Sequence, residues 1–94
     1  MAHLITHFWP GGTDEQYKAT VAVVHPATGL PAGQRYHAAG ATEGGYLIAA
    51  VWDSKAAYER FVSETLMPAL PKISGGFAGA PEERNCEIAN LVTV

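Results

Sequence analysis

Alternating apolar and polar positions along the chain predict a hairpin and two further strands. An apolar, β-forming run from Leu4 to Trp9 stops at a Pro-Gly-Gly turn and predicts the first strand. The runs Gln34 to Thr42 and Tyr46 to Trp52 are joined by a short glycine-rich turn, which is typical of a β-hairpin. A last apolar run, from Cys86 to Thr93, predicts the fourth strand.

Two segments repeat their apolar residues with a period near four and therefore predict helices. The first follows Thr13, which with Gln16 has the form of a capping box, and it ends before Pro26. The second begins after Asp53 or Ser54 as the N-cap and runs to about Met67, where prolines follow. The buried stripe of the first helix is formed by Tyr17, Val21 and Val24.

The element order βαββαβ predicts an α+β fold of the ferredoxin-like type, with one domain over residues 1–94. Its antiparallel sheet carries both helices on one face. The other face then presents Leu47, Ala49 and Val51, which are too apolar to remain in water. We therefore expect a homodimer in which two sheets pack face to face.

Composition and charge exclude several classes of partner. The net charge is −3 and no basic stripe exists, so we expect no nucleic acid. No apolar run approaches the ~20 residues of a membrane span, and the N-terminus does not resemble a signal peptide, so we expect a cytoplasmic protein. Cys86 is the single cysteine and is expected to be a small buried hydrophobe. No Cys/His spacing fits a metal site, and no cofactor is expected.

The hairpin brings one candidate catalytic residue next to two aromatic side chains. A two-residue turn places His37 opposite Ala50 or Trp52, so that His37, Tyr46 and Trp52 share the face under the helices. A three-residue turn with a bulge would reverse this arrangement. A histidine titrates near neutral pH and suits a general base, with the aromatic rings binding a substrate. The alternative is that all three are core residues.

Three more polar residues have candidate roles. Arg35 lies two residues before His37 and is expected on the same face, where it could orient an acidic group; a surface position is the alternative. Asn90 interrupts the last apolar run and would need a hydrogen-bond partner if buried. Both are candidate substrate-binding residues. His25 lies at the C-terminal end of the first helix, where the helix dipole favours a cation, so a capping role is expected.

The hairpin and the junction after it resemble the dimeric α/β-barrel superfamily. The similar segments are His37–Tyr46, Val51-Trp52-Asp53-Ser54 and Tyr58-Glu59-Arg60-Phe61. More narrowly, the chain is similar to small actinobacterial-type proteins grouped with antibiotic biosynthesis monooxygenases. The resemblance covers residues 33–70, and the remainder matches by element order only.

This resemblance implies a homodimer whose sheets form a barrel, a dimeric α/β barrel, with one pocket per subunit. Its monooxygenase members oxidise aromatic, polyketide-like phenols with dioxygen and no metal or flavin, and an isomerase of aromatic substrates is a related option. Two alternatives remain: a non-catalytic binding or structural homodimer, and a heme-binding protein. Heme-degrading relatives carry an Asn on strand one and a His on helix two. Here strand one offers Thr6 or His7, and the second helix has no histidine.

Overall fold

The computed structural model describes residues 1–26 and 29–93. The strands are β1 (His3–Pro10), β2 (Gln34–Thr42), β3 (Gly45–Trp52) and β4 (Glu82–Glu87). The helices are α1 (Asp14–Val24), α2 (Lys55–Phe61) and α3 (Met67–Ala69). A π-helical turn, Val62–Leu66, joins α2 to α3, and a 3₁₀ turn, Leu70–Lys72, follows.

The described residues form one four-stranded sheet in the order β2-β3-β1-β4, and every neighbouring pair is antiparallel. The predicted α+β, ferredoxin-like arrangement is therefore confirmed. The capping box at the start of α1 is also present, because Thr13 accepts from the Gln16 amide and the Gln16 side chain accepts from the Thr13 amide. Ser54, rather than Asp53, caps α2.

The hairpin turn contains two residues, which is one of the two turn lengths that the sequence allowed. Thr42 pairs with Gly45, and Gly44 adopts a φ of +84°, a left-handed conformation that glycine takes without steric cost. His37 lies opposite Ala50, so its side chain shares a face with Trp52. This face is the one that packs against the helices.

The fourth strand differs from its prediction. It spans Glu82–Glu87, not Cys86–Thr93. β4 pairs with β1, and Glu87 is opposite His3, the first residue of β1. Beyond that point the chain has almost no partner backbone, and the ladder ends with the Ile88 amide donating to the Ala2 carbonyl. A prediction from apolar composition alone therefore placed the fourth strand too far toward the C-terminus.

The core lies between the sheet and the second helix. Ile5, Ala50 and Trp52 are buried, and Tyr58 and Phe61 of α2 pack on them. A buried tryptophan contributes more apolar area than most core residues, so this contact anchors the helix on the sheet.

The outer face of the sheet is uncovered in the single chain. Leu47 is 43 % exposed and Tyr36 is 49 % exposed. Cys86 pairs with Leu4 on this same face and is exposed, so its predicted burial within the chain is wrong. No helix among the described residues is long and apolar enough to cross a membrane.

Candidate functional site

A cavity of about 480 Å³ lies between the inner face of the sheet and the helices. We call it the central cavity. Its lining includes His37, Gln34 and Trp52 from the sheet and Tyr17 and His25 from the first helical segment. Most other lining side chains are aliphatic or aromatic, as in pockets that bind small organic molecules.

His37 makes a hydrogen bond through each ring nitrogen. The Tyr17 Oη lies 2.7 Å from Nε2, and the Gln34 Oε1 lies 3.1 Å from Nδ1. The amide oxygen of Gln34 can only accept, so Nδ1 carries the proton and Nε2 accepts from the Tyr17 hydroxyl. This neutral tautomer leaves His37 ready to take a proton through Nε2.

The surroundings favour the neutral form of His37. Burial lowers its pKa, and the neighbouring His25 lowers it further. The two imidazole rings meet edge to face, with 4.8 Å between their centroids. Burial lowers the pKa of His25 as well. The His25 backbone occupies the C-cap of α1, as expected, whereas its ring packs on His37 instead of remaining in solvent.

Tyr17 is held in place by a buried neighbour. Tyr46 stacks on Tyr17 with 5.2 Å between ring centroids, and it donates a 2.7 Å hydrogen bond to Asp14 Oδ1. That bond and burial raise the pKa of Tyr46 to about 12. Burial, and then the charge of Asp14, raises the pKa of Tyr17. Tyr46 thus stands behind Tyr17 and does not line the central cavity, contrary to its predicted position against a ligand.

Trp52 does line the central cavity. It is 1 % exposed and meets Tyr58 edge to face at 5.6 Å and Phe61 at 5.1 Å. Its indole nitrogen is buried without a hydrogen-bond partner among the described residues. A buried donor without a partner is uncommon in native proteins.

Arg35 and Asn90 lie away from this site. A β-bulge between Gln34 and Tyr36 removes Arg35 from the alternation, and Arg35 pairs with Asp53 at the surface. The bulge places Gln34 opposite Trp52, so glutamine takes the inner position expected for arginine. Asn90 is exposed and follows the end of β4. The structure brings neither residue to His37.

A second polar cluster lies at the opposite edge of the central cavity. Glu83 Oε1 accepts from His7 Nε2 at 2.9 Å and from the Tyr58 hydroxyl at 3.2 Å. Glu83 precedes the fourth strand that the sequence predicted, which began at Cys86. It lies on β4 because that strand begins earlier than predicted, and its register turns Glu83 toward the cavity.

Three solved structures share this fold over nearly the whole chain. A candidate antibiotic biosynthesis monooxygenase from Chloroflexus aurantiacus superposes with a TM-score of 0.68 and 13 % identity, covering 99 % of this chain and 98 % of its own. A mutant of SnoaB, a cofactor-independent oxygenase from Streptomyces nogalater, gives 0.61 and 15 %, covering 97 % and 95 %. The ActVA-Orf6 monooxygenase of Streptomyces coelicolor, bound to nanaomycin D, gives 0.58 and 19 %, covering 99 % and 91 %.

The chain has the fold of the antibiotic biosynthesis monooxygenase-like proteins. Because the identities are below 20 %, these superpositions establish the fold and no particular activity. No family model matches the sequence, and no curated protein matches it. The structural matches confirm the predicted resemblance at the level of the fold.

Within this monooxygenase-like fold, sequence reasoning missed Tyr17 and Gln34 as partners of His37. Tyr17 was counted only as part of a buried stripe. The available signal was that a tyrosine needs a partner for its hydroxyl when it is buried. Gln34 could not be identified without the bulge that follows it.

Proposed function

We propose that the central cavity binds a small aromatic phenol and that the protein is a cofactor-independent monooxygenase. The observation that carries the proposal is the Tyr17–His37 pair on the cavity wall, in which a neutral imidazole accepts from a phenolic hydroxyl. Solved structures with the same fold include a cofactor-independent oxygenase and a monooxygenase bound to nanaomycin D, which supports this choice of chemistry.

In the proposed reaction, the two side chains remove a proton from the substrate. The substrate hydroxyl donates to Tyr17 Oη while Tyr17 donates to His37 Nε2, which leaves a phenolate and an imidazolium. Gln34 Oε1 accepts from Nδ1 throughout and holds the ring in position. Because both catalytic groups are neutral beforehand, the transfer begins from their resting protonation states.

The phenolate then reacts with dioxygen. Its electron-rich ring carbon forms a bond to one oxygen atom, and the His37 imidazolium protonates the other to give a ring hydroperoxide. Loss of the proton on that carbon breaks the O–O bond and releases water, leaving a quinone carbonyl. One dioxygen is consumed and one water is released for each quinone.

Two other roles are less well supported. A structural dimer without a ligand would fill the space beside His37 with core side chains, whereas a cavity of about 480 Å³ lies there. For a heme protein, both ring nitrogens of His37 are engaged in hydrogen bonds, so His37 does not offer a free axial ligand. We also propose a homodimer, because the exposed apolar outer face of the sheet needs a second surface to cover it.

Oxygen uptake with a panel of phenols and anthrone-like tricycles tests the function. We expect uptake and quinone absorbance with at least one compound, and a loss of about 100-fold or more in His37→Gln. The matched control is Tyr36→Phe, one residue away on the outer face of the sheet, which should keep full activity. Uptake unaffected by His37→Gln would refute the proposed base.

A further inference from the structure

The central cavity has a polar group at each of two opposite edges. His37 stands on β2 and Glu83 on β4, which are the two edge strands of the sheet. Three strand spacings separate them, or roughly 14 Å between strand axes. The residues between them are mainly apolar, for example Ala50 and Ile48 of β3. A flat ring system that reaches the Tyr17–His37 pair and lies across the strands therefore has its far end near Glu83.

The Glu83 carboxylate is positioned and can accept one more hydrogen bond. Oε1 accepts from His7 and Tyr58, and Oε2 accepts from Asn85 Nδ2 at 3.3 Å. A carboxylate offers about four acceptor sites, so these three donors leave one. The side chain is 43 % exposed, which leaves that site accessible from the mouth of the cavity.

The charged residues of the cavity lining also disfavour an anionic ligand group at this edge. Glu83 is the one carboxylate among the described residues that line the central cavity, and that described lining contains no lysine or arginine. Arg35, the arginine expected here, is paired with Asp53 outside. Burial and the charge of Glu83 raise the pKa of Tyr58, which keeps Tyr58 a donor. An anionic ligand group would meet a like charge with no lysine or arginine in the described lining to compensate it.

We infer that Glu83 determines specificity: the ligand is an uncharged or cationic aromatic compound that carries a hydroxyl or amine donor at the end opposite its reactive phenol, and carboxylated analogues are rejected. This inference rests on the proposed function for the identity of the reactive end. Rejection follows because two carboxylates at contact distance repel each other, and the donors around Glu83 are already engaged.

A series of 2-naphthols tests the inference by binding alone. The ligands are 2,6-dihydroxynaphthalene, 6-amino-2-naphthol and 6-hydroxy-2-naphthoic acid, titrated anaerobically at pH 7.5 while following tryptophan fluorescence. We expect the acid to bind about tenfold more weakly than the diol or the amine, or worse. Glu83→Gln should bring the ratio close to one, mainly by improving the acid. Glu82→Gln is the matched control, since Glu82 is the exposed neighbour on the outer face of β4 and should keep the wild-type ratio.

Equal affinity for the acid and the diol in the wild type would overturn the inference, as would an unchanged ratio in Glu83→Gln or no binding of any of the three. Oxygen uptake is measured separately. Discrimination in binding without uptake would support the Glu83 role and refute the monooxygenase. Uptake without discrimination would support the monooxygenase and refute the Glu83 role.

Discussion

The phenolic oxygen of Tyr17 lies 2.7 Å from Nε2 of His37 and joins the first helix to an edge strand of the sheet. Twenty residues separate the two side chains in the chain. Both side chains line the central cavity, so this bond joins the helix to the sheet and also faces the space that a ligand would occupy. A hydroxyl that donates to a neutral imidazole is one proton transfer from a tyrosinate–imidazolium pair. The predictions below begin from this contact.

Tyr17→Phe should separate catalysis from packing. The ring is retained, so the stacking on Tyr46 should remain, and the lost hydrogen bond should cost about 0.5–1.5 kcal/mol in the free energy of unfolding. The pKa of His37 should rise, because nothing then donates to Nε2, and ¹H–¹⁵N NMR of the imidazole measures it. Oxygen uptake should fall about 100-fold or more.

Tyr36→Phe is the matched control for that variant, because Tyr36 is an exposed tyrosine on the outer face of the same strand as His37. It should change neither the pKa of His37 nor the uptake rate. A Tyr17→Phe protein with full activity would show that the substrate reaches His37 directly.

Acidification should destabilise the protein between pH 7.5 and 5.5. Burial lowers the pKa values of His25 and His37 from the ordinary 6.5, so the unfolded chain binds these protons at a higher pH than the folded one. Stability is therefore fully present above pH 6.5 and falls as the pH drops through it. The measurement is the urea midpoint at both pH values and one protein concentration.

His37→Gln is the comparison for this pH dependence. The substitution removes one of the two titrating rings and should reduce the change in the urea midpoint between pH 7.5 and 5.5. An identical pH dependence in the variant would exclude His37 as a source of the acid sensitivity.

Gly45→Ala should destabilise the hairpin at its junction with the first strand. A Cβ at this position would overlap the carbonyl oxygen of Trp9 and approach the Gly11 amide to 3.0 Å. Backbone atoms cannot move aside as a flexible side chain can, so we expect a loss of about 1–3 kcal/mol in the free energy of unfolding, measured with urea.

Gly40→Ala is the paired substitution, since a Cβ there meets no atom of the same chain within 4 Å. It should be neutral or gain about 0.5–1 kcal/mol, because alanine loses less backbone entropy than glycine in a strand. A Gly45→Ala protein as stable as Gly40→Ala would contradict the backbone overlap.

Leu47→Lys should convert the proposed dimer to monomer. Leu47 is 43 % exposed on the uncovered sheet face, and a lysine there would have to be desolvated between two sheets. Sedimentation equilibrium at micromolar concentration reports the change. Met67→Lys is the control, because Met67 is an exposed apolar residue on the helical side. A wild-type protein that is monomeric under these conditions would refute the dimer.

The sequence by itself determined the fold, because each element carries its own local signal. The capping box at Thr13 and Gln16, the period-four stripe of α1 and the glycine turn at Gly44 fix the helix start and the hairpin without tertiary help. For each turn length that the sequence allowed, two residues or three, it also determined which residues share a face, since pleating alternates side chains strictly. The structure selected the two-residue turn, which places His37 beside Trp52 on the inner face.

The tertiary structure decided the composition of the site. A bulge replaced Arg35 with Gln34 beside His37, and a bulge is set by the fit between neighbouring strands rather than by one strand's residues. The bounds of β4 depend on where β1 ends, which turned Glu83 inward and left Asn90 outside the sheet. Tyr17 meets His37 only because helix and sheet pack together, a contact that no spacing along the chain encodes.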